Sequence, residues 1–241
     1  MSIIDELLVF LDDQNEIELD EIKDKLSKKS KQTVSSALGR LSAKGWVKHQ
    51  TNKKNMKLYK ITVLGKEEIN KKLKKIREVE DNQWDGSWVM VTFSIPEKMR
   101  KSRDAFRNSL VELGFMRFFN DLWLSFWDKR KDVESIIKEL KIEDYSTFIR
   151  IQKLSSENEK KFITHIKWDE TGVNSNYKEF ITEVDKFLKN KKDAFHARLL
   201  VYKYAKALSM DPQFPKNIQP DKYLGELAYK AYLKIRPYCY K

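Results

Sequence analysis

The chain holds a single cysteine, Cys239, in 241 residues. A lone thiol forms no internal disulfide, which points to a reducing cytoplasm rather than a secreted scaffold. The three histidines, His49, His165 and His196, are scattered, and with one cysteine they assemble no zinc site at any familiar spacing. None of the seven glycines falls in a GxGxxG or GxxxxGK arrangement, so a phosphate-cradling loop of the nucleotide-enzyme type is not expected. No apolar run approaches the roughly 18 residues of a membrane span, and Met1-Ser2-Ile3-Ile4-Asp5 does not read as a signal peptide. One more absence is local: between Lys25 and Lys66 there is no Asp and no Glu.

Positive charge fills that stretch. Its 42 residues contain twelve Lys or Arg, at positions 25, 28, 29, 31, 40, 44, 48, 53, 54, 57, 60 and 66. The whole chain has 48 basic and 36 acidic residues, so the remainder balances at 36 against 36 and the net charge of +12 lies in this one segment. A field of one sign suits a polyanion, because each cation that neutralises a phosphate releases condensed counterions. The plainer reading is a solvated surface of a Lys-rich protein. Such surfaces normally interleave Glu, as the rest of this chain does.

The segment also has a pattern. Val34, Ala37, Leu38 and Leu41 fall at i, i+3, i+4 and i+7, one stripe of a short helix. Ser30 suits its N-cap, and Gly45 follows its end. Residues 46–50 and 57–62 read as two strands around the polar tip Thr51-Asn52-Lys53-Lys54-Asn55, and Thr62 can cap a further helix. Helix, basic-tipped hairpin and helix form the second half of a winged helix-turn-helix. Opposite the stripe lie Gln32, Ser35, Ser36 and Arg40, with Lys31 and Thr33 near the N-terminal end, a set suited to base edges in a major groove. Gln32, Thr33, Ser35, Ser36 and Arg40 are therefore the candidate base contacts. Lys31, Lys44, Lys53, Lys54 and Lys57 are the candidate phosphate contacts.

With 41% apolar and 12% aromatic residues the chain can bury real cores, which excludes global disorder. Ile3, Ile4, Leu7, Leu8 and Leu11 mark a first helix, and Leu19, Ile22 and Leu26 a second. Asp12, Asp13, Glu16, Glu18, Asp20 and Glu21 would be repelled by phosphate, so that edge should turn from the duplex. The helix opened at Thr62, with Ile69, Leu73 and Ile76 in register, runs to about Val79; dimerisation and simple connection both suit it. A compositional shift at residues 80–83 marks a boundary. A strand over Trp88 to Phe93, a helix with Phe106 and Leu110, strands flanking Asn120-Asp121, a helix around Val133 to Leu140 and a strand from Tyr145 to Ile151 follow in order. That βαββαβ order is ferredoxin-like. Beyond it come helical stripes: Phe162, His165 and Ile166; Tyr177, Phe180, Ile181, Val184 and Leu188; Ala197, Leu200, Tyr204 and Leu208; and a last helix from Leu224 to Ile235. The expected fold class is α+β multidomain, with a winged helix-turn-helix at 1–80, a ferredoxin-like domain at 84–152 and a helical C-terminal domain at 153–241.

The chain resembles the PaaX family, bacterial repressors typified by the phenylacetate-catabolism regulator. The resemblance is carried by Trp84-Asp85-Gly86-x-Trp88, Ile95-Pro96-Glu97, Arg103, Phe106, Leu110, Gly114-Phe115 and Leu122-Trp123-Leu124-Ser125. It continues through Trp168-Asp169, Tyr177, Phe180, Asp211-Pro212, Pro215, Pro220 and Gly225. It implies a dimeric repressor whose middle domain is similar to the small nuclease subunit of CRISPR spacer acquisition, and whose DNA affinity is relieved by an aryl-acyl-CoA thioester. In that nuclease subunit a metal-binding Asp ends the first strand, where this chain has Ser94. A neutral hydroxyl is a poor Mg²⁺ ligand beside a carboxylate. The family's ligand-binding residues match no motif here, so the effector site is unassigned.

Several residues carry two readings. Trp84 and Trp88 would either wall an effector pocket or staple the start of the domain onto its sheet. Trp123 and Trp127 fit a core or a dimer interface. Arg100, Lys101, Arg103 and Arg107 would either contact CoA phosphates or lie on a solvated helix. His165 on an apolar stripe reads as packing, Asp169-Glu170 as helix capping, and Asp211-Pro212 as a turn.

The sequence thus leads to a sequence-specific DNA-binding repressor, not an enzyme, cytoplasmic, with no cofactor or metal. Its expected partners are an operator duplex, a second copy of itself and an acyl-CoA effector. The rivals are a metal-dependent nuclease and a nucleic-acid-binding adaptor without an effector.

Overall fold

The computed structural model describes residues 2–14, 16–25, 30–81, 83–152, 159, 163–190 and 193–239. Leu26, Lys28, Lys29 and Phe162, named above, lie outside the described residues, as do the side chains of Lys25 and Val79. The chain divides into two compact units: Met1–Ile76 with Thr182–Ala205 and Lys230–Lys241, and Arg77–Ile181 with Lys206–Tyr229.

The first unit is a winged helix. Helix α1 (Ile3–Asp13) opens on a capping box, in which the Ser2 hydroxyl accepts from the Asp5 N–H and the Asp5 carboxylate accepts from the Ser2 N–H. Strand β1 (Ile17–Glu18), α2 (Leu19–Lys25) and α3 (Lys31–Ala43) follow, then β2 (Val47–Thr51), β3 (Lys57–Ile61) and α4 (Val63–Asp81). The three strands pair antiparallel in the order β1-β3-β2. Five consecutive residues of α1, Leu7 to Leu11, are buried. Burial all round a helix requires neighbours on more than one side. One side meets the α3 stripe and the wing strands. Residues far along the chain also join this core: Phe195, Leu199 and Tyr202, all from α8 (Ala194–Leu208). Phe195 stands edge-on to Phe10 with ring centres 5.2 Å apart, and Arg198 pairs with Asp13 at 2.5 Å.

In the second unit β4 (Trp88–Phe93), α5 (Arg100–Glu112), β5 (Met116–Phe119), β6 (Leu122–Ser125), α6 (Arg130–Leu140) and β7 (Ser146–Ile151) build a sheet of order β5-β6-β4-β7. Numbered within the unit this is 2-3-1-4, the ferredoxin-like topology. Phe119 pairs with Leu122, so Asn120-Asp121 is a two-residue hairpin loop. One face of the sheet packs Val89, Val91 and Phe93 against Phe106 and Leu110 of α5 and Val133 and Ile137 of α6. The other packs Trp88, Met116, Leu124 and Phe126 against Phe214, Trp168 and Tyr223. Trp84 is edge-on to Trp88 and to Phe126 at 5.9 Å, and its indole N–H donates to the Ser87 carbonyl. Both tryptophans therefore serve as staples onto the sheet. Trp123 is buried in the core beneath the helices, and Trp127 donates to the Gln213 carbonyl at 2.9 Å.

Three more helices run through the C-terminal part: α7 (Glu170–Lys189), α8 and α9 (Gly225–Ile235). Asp169 caps α7 by accepting from the Gly172 N–H at 2.9 Å. His165 is exposed at the edge of the stripe, its ring edge-on to Phe118 at 6.3 Å between centres and its Nδ1 3.2 Å from the Thr164 hydroxyl. The stripe goes no further, because Lys167 pairs with Arg117 as an isolated bridge.

Asp211 is more than a turn residue. It is 1% exposed, and one carboxylate oxygen accepts from the Tyr177 hydroxyl and, at 2.5 Å, from the Tyr223 hydroxyl. The other oxygen accepts from the Gln213 N–H at 2.8 Å. Gly114 takes φ +83° at the end of α5 and lies against the Asp211 carbonyl, where a Cβ would come within 3.0 Å. Burial raises the carboxyl pKa, and the three donors act in the opposite direction. A raised folded pKa means a stabilisation complete below the ordinary carboxyl value, about 3.9, and lost as pH climbs through the raised one. Asp211→Asn, neutral throughout, should remove that loss. Urea midpoints of the two proteins, compared from pH 4 to pH 8, should converge at the acid end and separate above it, with wild type losing more.

Candidate nucleic-acid interface

Helix α3 is fixed at both ends. The Ser30 hydroxyl accepts from the Thr33 N–H at 3.2 Å and lies 2.7 Å from the Thr33 hydroxyl. At the far end the Gly45 N–H bonds the Ser42 carbonyl and the Trp46 N–H bonds that of Leu41, a Schellman closure with Gly45 at φ +69°. Val34, Ala37, Leu38 and Leu41 are buried, and Gln32, Ser35, Ser36 and Arg40 are exposed on the other face. Lys31 and Thr33, also exposed, stand in the first turn. Lys44, one turn beyond Arg40, lays its ammonium over the Trp46 ring at 4.3 Å from the centre.

The wing follows directly. Strands β2 and β3 pair from Val47↔Ile61 to Thr51↔Lys57. Val47, Tyr59 and Ile61 face the core, whereas Lys48, Gln50, Leu58 and Lys60 occupy the outer face. The tip is organised by Asn52. Its side-chain carbonyl accepts from the N–H groups of Lys54 and Met56, each at 2.9 Å, and its own N–H donates to the Met56 carbonyl. Asn55 adopts φ +59°, a conformation that Asn tolerates better than most residues. Lys53, Lys54 and Lys57 are thereby presented, all exposed, on an ordered tip.

The twelve cations of the segment fall into three groups. Lys25, Lys28 and Lys29 have no described side chain. Lys60 pairs with Glu16 at 3.7 Å and Lys66 with Asp12 at 4.0 Å. The other seven, Lys31, Arg40, Lys44, Lys48, Lys53, Lys54 and Lys57, are exposed and have no acidic partner among the described residues. Helix and wing bring all five candidate base contacts and all five candidate phosphate contacts onto two consecutive elements of one unit.

Sequence reasoning passed over two residues. Lys48 belongs to the unpaired group, and the alternation of β2 was the signal that put it on the outer face. Asn52 shows in the sequence only as part of a polar tip. The acidic N-terminal edge is also less remote than expected, since Glu16 accepts from Gln50 at 3.2 Å.

Elsewhere, Arg100, Arg103 and Arg107 are engaged by Glu97, Asp104 and Asp121, with Arg103–Glu97 at 2.9 Å and Arg107–Asp121 at 2.7 Å. Those acids compete with any phosphate for the arginines. Ser94 follows β4 directly, exposed, its N–H donating to the Tyr145 carbonyl at 2.8 Å. Among the described residues no group of three or more His, Cys, Asp or Glu could hold a metal ion, and no helix is long and apolar enough to cross a membrane.

Three family descriptions match successive parts of the chain: penicillinase repressor over residues 5–83, PaaX protein central Cas2-like domain over 81–163, and PaaX-like protein C-terminal domain over 168–240. No curated protein matches it. Among solved structures, the uncharacterized protein Rv0674 from Mycobacterium tuberculosis aligns with a TM-score of 0.54 and 15% identity, covering 86% of this chain and 80% of that one. At that identity the likeness speaks for the fold alone.

If Asn52 orders the wing, Asn52→Ala should loosen it. A hydrogen bond of this kind contributes about 1 kcal/mol. Amide exchange at Lys54 and Met56 should therefore quicken about fivefold or more, while that of Leu38 and Leu41 in α3 stays unchanged.

Proposed function

This chain, joining a penicillinase-repressor-type winged helix to a PaaX central domain and a PaaX C-terminal domain, has the architecture of the PaaX-like regulators, and from that premise we propose that it is a DNA-binding transcriptional repressor. The observation that carries the proposal is the group of seven exposed cations with no acidic partner among the described residues, gathered on α3 and the wing. A duplex supplies the counter-charge that the protein withholds.

In this reading residues 1–80 engage the operator. Helix α3 enters the major groove, where Gln32, Thr33, Ser35, Ser36 and Arg40 meet base edges. Arg40, with its fork of donors, suits the acceptor pair of guanine. Lys31, Lys44, Lys53, Lys54 and Lys57 hold phosphates and fix the register. The protein acts as a homodimer in the cytoplasm, with its two α3 helices about one helical turn apart, ~34 Å. Residues 84–152 and 153–241 take up an acyl-CoA thioester and favour a state with the wrong spacing. The thioester shifts that balance only by its differential affinity for the two states. The regulator-family domains favour a non-enzyme, and Ser94, at the position of a metal-binding Asp, favours it further.

Substitutions separate the roles. Arg40→Ala should cost about 1–3 kcal/mol of operator binding and relax specificity, whereas Lys53→Ala should weaken all sequences alike and lower the salt slope by about one. Gel shifts at several salt concentrations measure both, and no change from either overturns the docking of α3 and the wing. For the effector, a saturating acyl-CoA should stabilise the protein by a few kcal/mol. A thermal-shift panel of acyl-CoAs that is flat throughout removes that part of the proposal and leaves an effector-free DNA-binding protein.

A further inference from the structure

The ferredoxin-like sheet has a groove that lies outside α3 and the wing. Its outer strand β5 is irregular: Arg117 lies opposite Trp123 and Phe119 opposite Leu122, with Phe118 as the extra residue between them. Such a bulge re-aims the side chains around it and is frequent beside binding sites. Here it borders a cavity of about 420 Å³ whose walls include Thr92, Arg117, Phe118, Phe119, Asn120 and Lys167. That volume falls in the range of small-molecule sites, roughly 300–1,000 Å³.

The groove concentrates one sign of charge. Arg117 and Lys167 exchange backbone hydrogen bonds at 3.0 and 2.7 Å and so stand directly opposite each other. Like charges in that relation repel. Both are exposed, and neither forms an ion pair among the described residues. The one carboxylate in the lining, Asp121, is already taken by Arg107 at 2.7 Å. An anion seated between Arg117 and Lys167 would turn their repulsion into attraction. Beside them Phe119 is 61% exposed, braced edge-on by Phe118 at 4.4 Å between ring centres. A large ring left in water next to two unpaired cations offers a stacking face. The Asn120 amide and the Thr92 hydroxyl add donors and acceptors at the rim.

We propose that this groove binds a nucleoside phosphate. Arg117 and Lys167 hold the phosphate, Phe119 stacks on the base, and Asn120 and Thr92 hydrogen-bond the sugar or base edge. Occupancy stands independently of operator binding. Only its consequence, a ligand-dependent change in repression, rests on the regulatory reading above.

Calorimetric titration of the full chain with adenosine 5′-diphosphate tests the site. Wild type should bind with a Kd below about 1 mM. Arg117→Gln and Lys167→Gln should each weaken binding about tenfold or more, and Lys167→Arg should retain it. Phe119→Ser should weaken adenosine 5′-diphosphate about fivefold or more yet leave inorganic phosphate unaffected, since phosphate has no ring to stack. All three side chains are exposed and the Arg117–Lys167 bridge is backbone, so unchanged melting curves are expected. The proposal is overturned if wild type does not bind the nucleotide, or if binding ignores all three positions. It is also overturned if Arg117→Gln and Lys167→Gln weaken duplex binding without nucleotide, which would make the groove part of a nucleic-acid surface. Nucleotide binding that leaves operator affinity unchanged upholds the site and removes only its link to repression. A failure of the Arg40 and Lys53 variants to affect DNA leaves this titration untouched.

Discussion

Like charges repel, and a fold that sets seven cations with no acidic partner among the described residues on one helix and one hairpin must hold them against that repulsion. The restraint is apolar. Val34, Ala37, Leu38 and Leu41 lie in the core of the first unit, which fixes the rotation of α3 and leaves its polar face outward. Val47, Tyr59 and Ile61 do the same for the wing, and the Schellman closure at Gly45 sets the angle between the two. The carboxylates nearby are spent at the base of the wing, where Glu16 meets Lys60 and Asp12 meets Lys66. Lys48 and Lys60 still face each other across the strands. Such an arrangement costs stability in the free protein, and a polyanion placed there would relieve it.

The parts of this architecture that were legible in the sequence are those whose cause is local. The α3 stripe, its Ser30 cap and Gly45 stop, the hairpin at Asn120-Asp121 and the βαββαβ order all follow from periodicity and turn chemistry within a few residues. What escaped depends on partners far along the chain. Asp211 looks like a turn residue until Tyr177, 34 positions earlier, reaches it. His165 sits in a helical pattern that ends because Lys167 pairs with Arg117 across the fold. Phe195, Leu199 and Tyr202 read as one more amphipathic helix, with nothing local to say that they complete the core begun by α1. At the candidate interface the residue types were readable. Which cations carry an acid partner was not, because Glu16 and Asp12 approach Lys60 and Lys66 only through the sheet and α4.

The second unit shows the complementary constraint. Its sheet is covered on both faces, by α5 and α6 on one side and by an aromatic layer of Trp84, Phe214, Trp168 and Tyr223 on the other. Aromatic rings in edge-on contact give directional packing, and the layer ends at a carboxylate that holds two phenols by hydrogen bonds. Moving Tyr177 or Tyr223 would leave a buried carboxyl group short of a hydrogen-bond partner, which holds this junction to one arrangement.

The insertion of Phe195 and Tyr202 beside Phe10 has a consequence for biosynthesis. A ribosome releases α3 and the wing long before it releases the residues that seal α1. Until then the nascent winged helix carries an open apolar flank, and its core is not closed until α8 of the same polypeptide has been made. A chain cut short before Phe195 would leave that flank open to water and to the apolar flanks of its neighbours on the polysome.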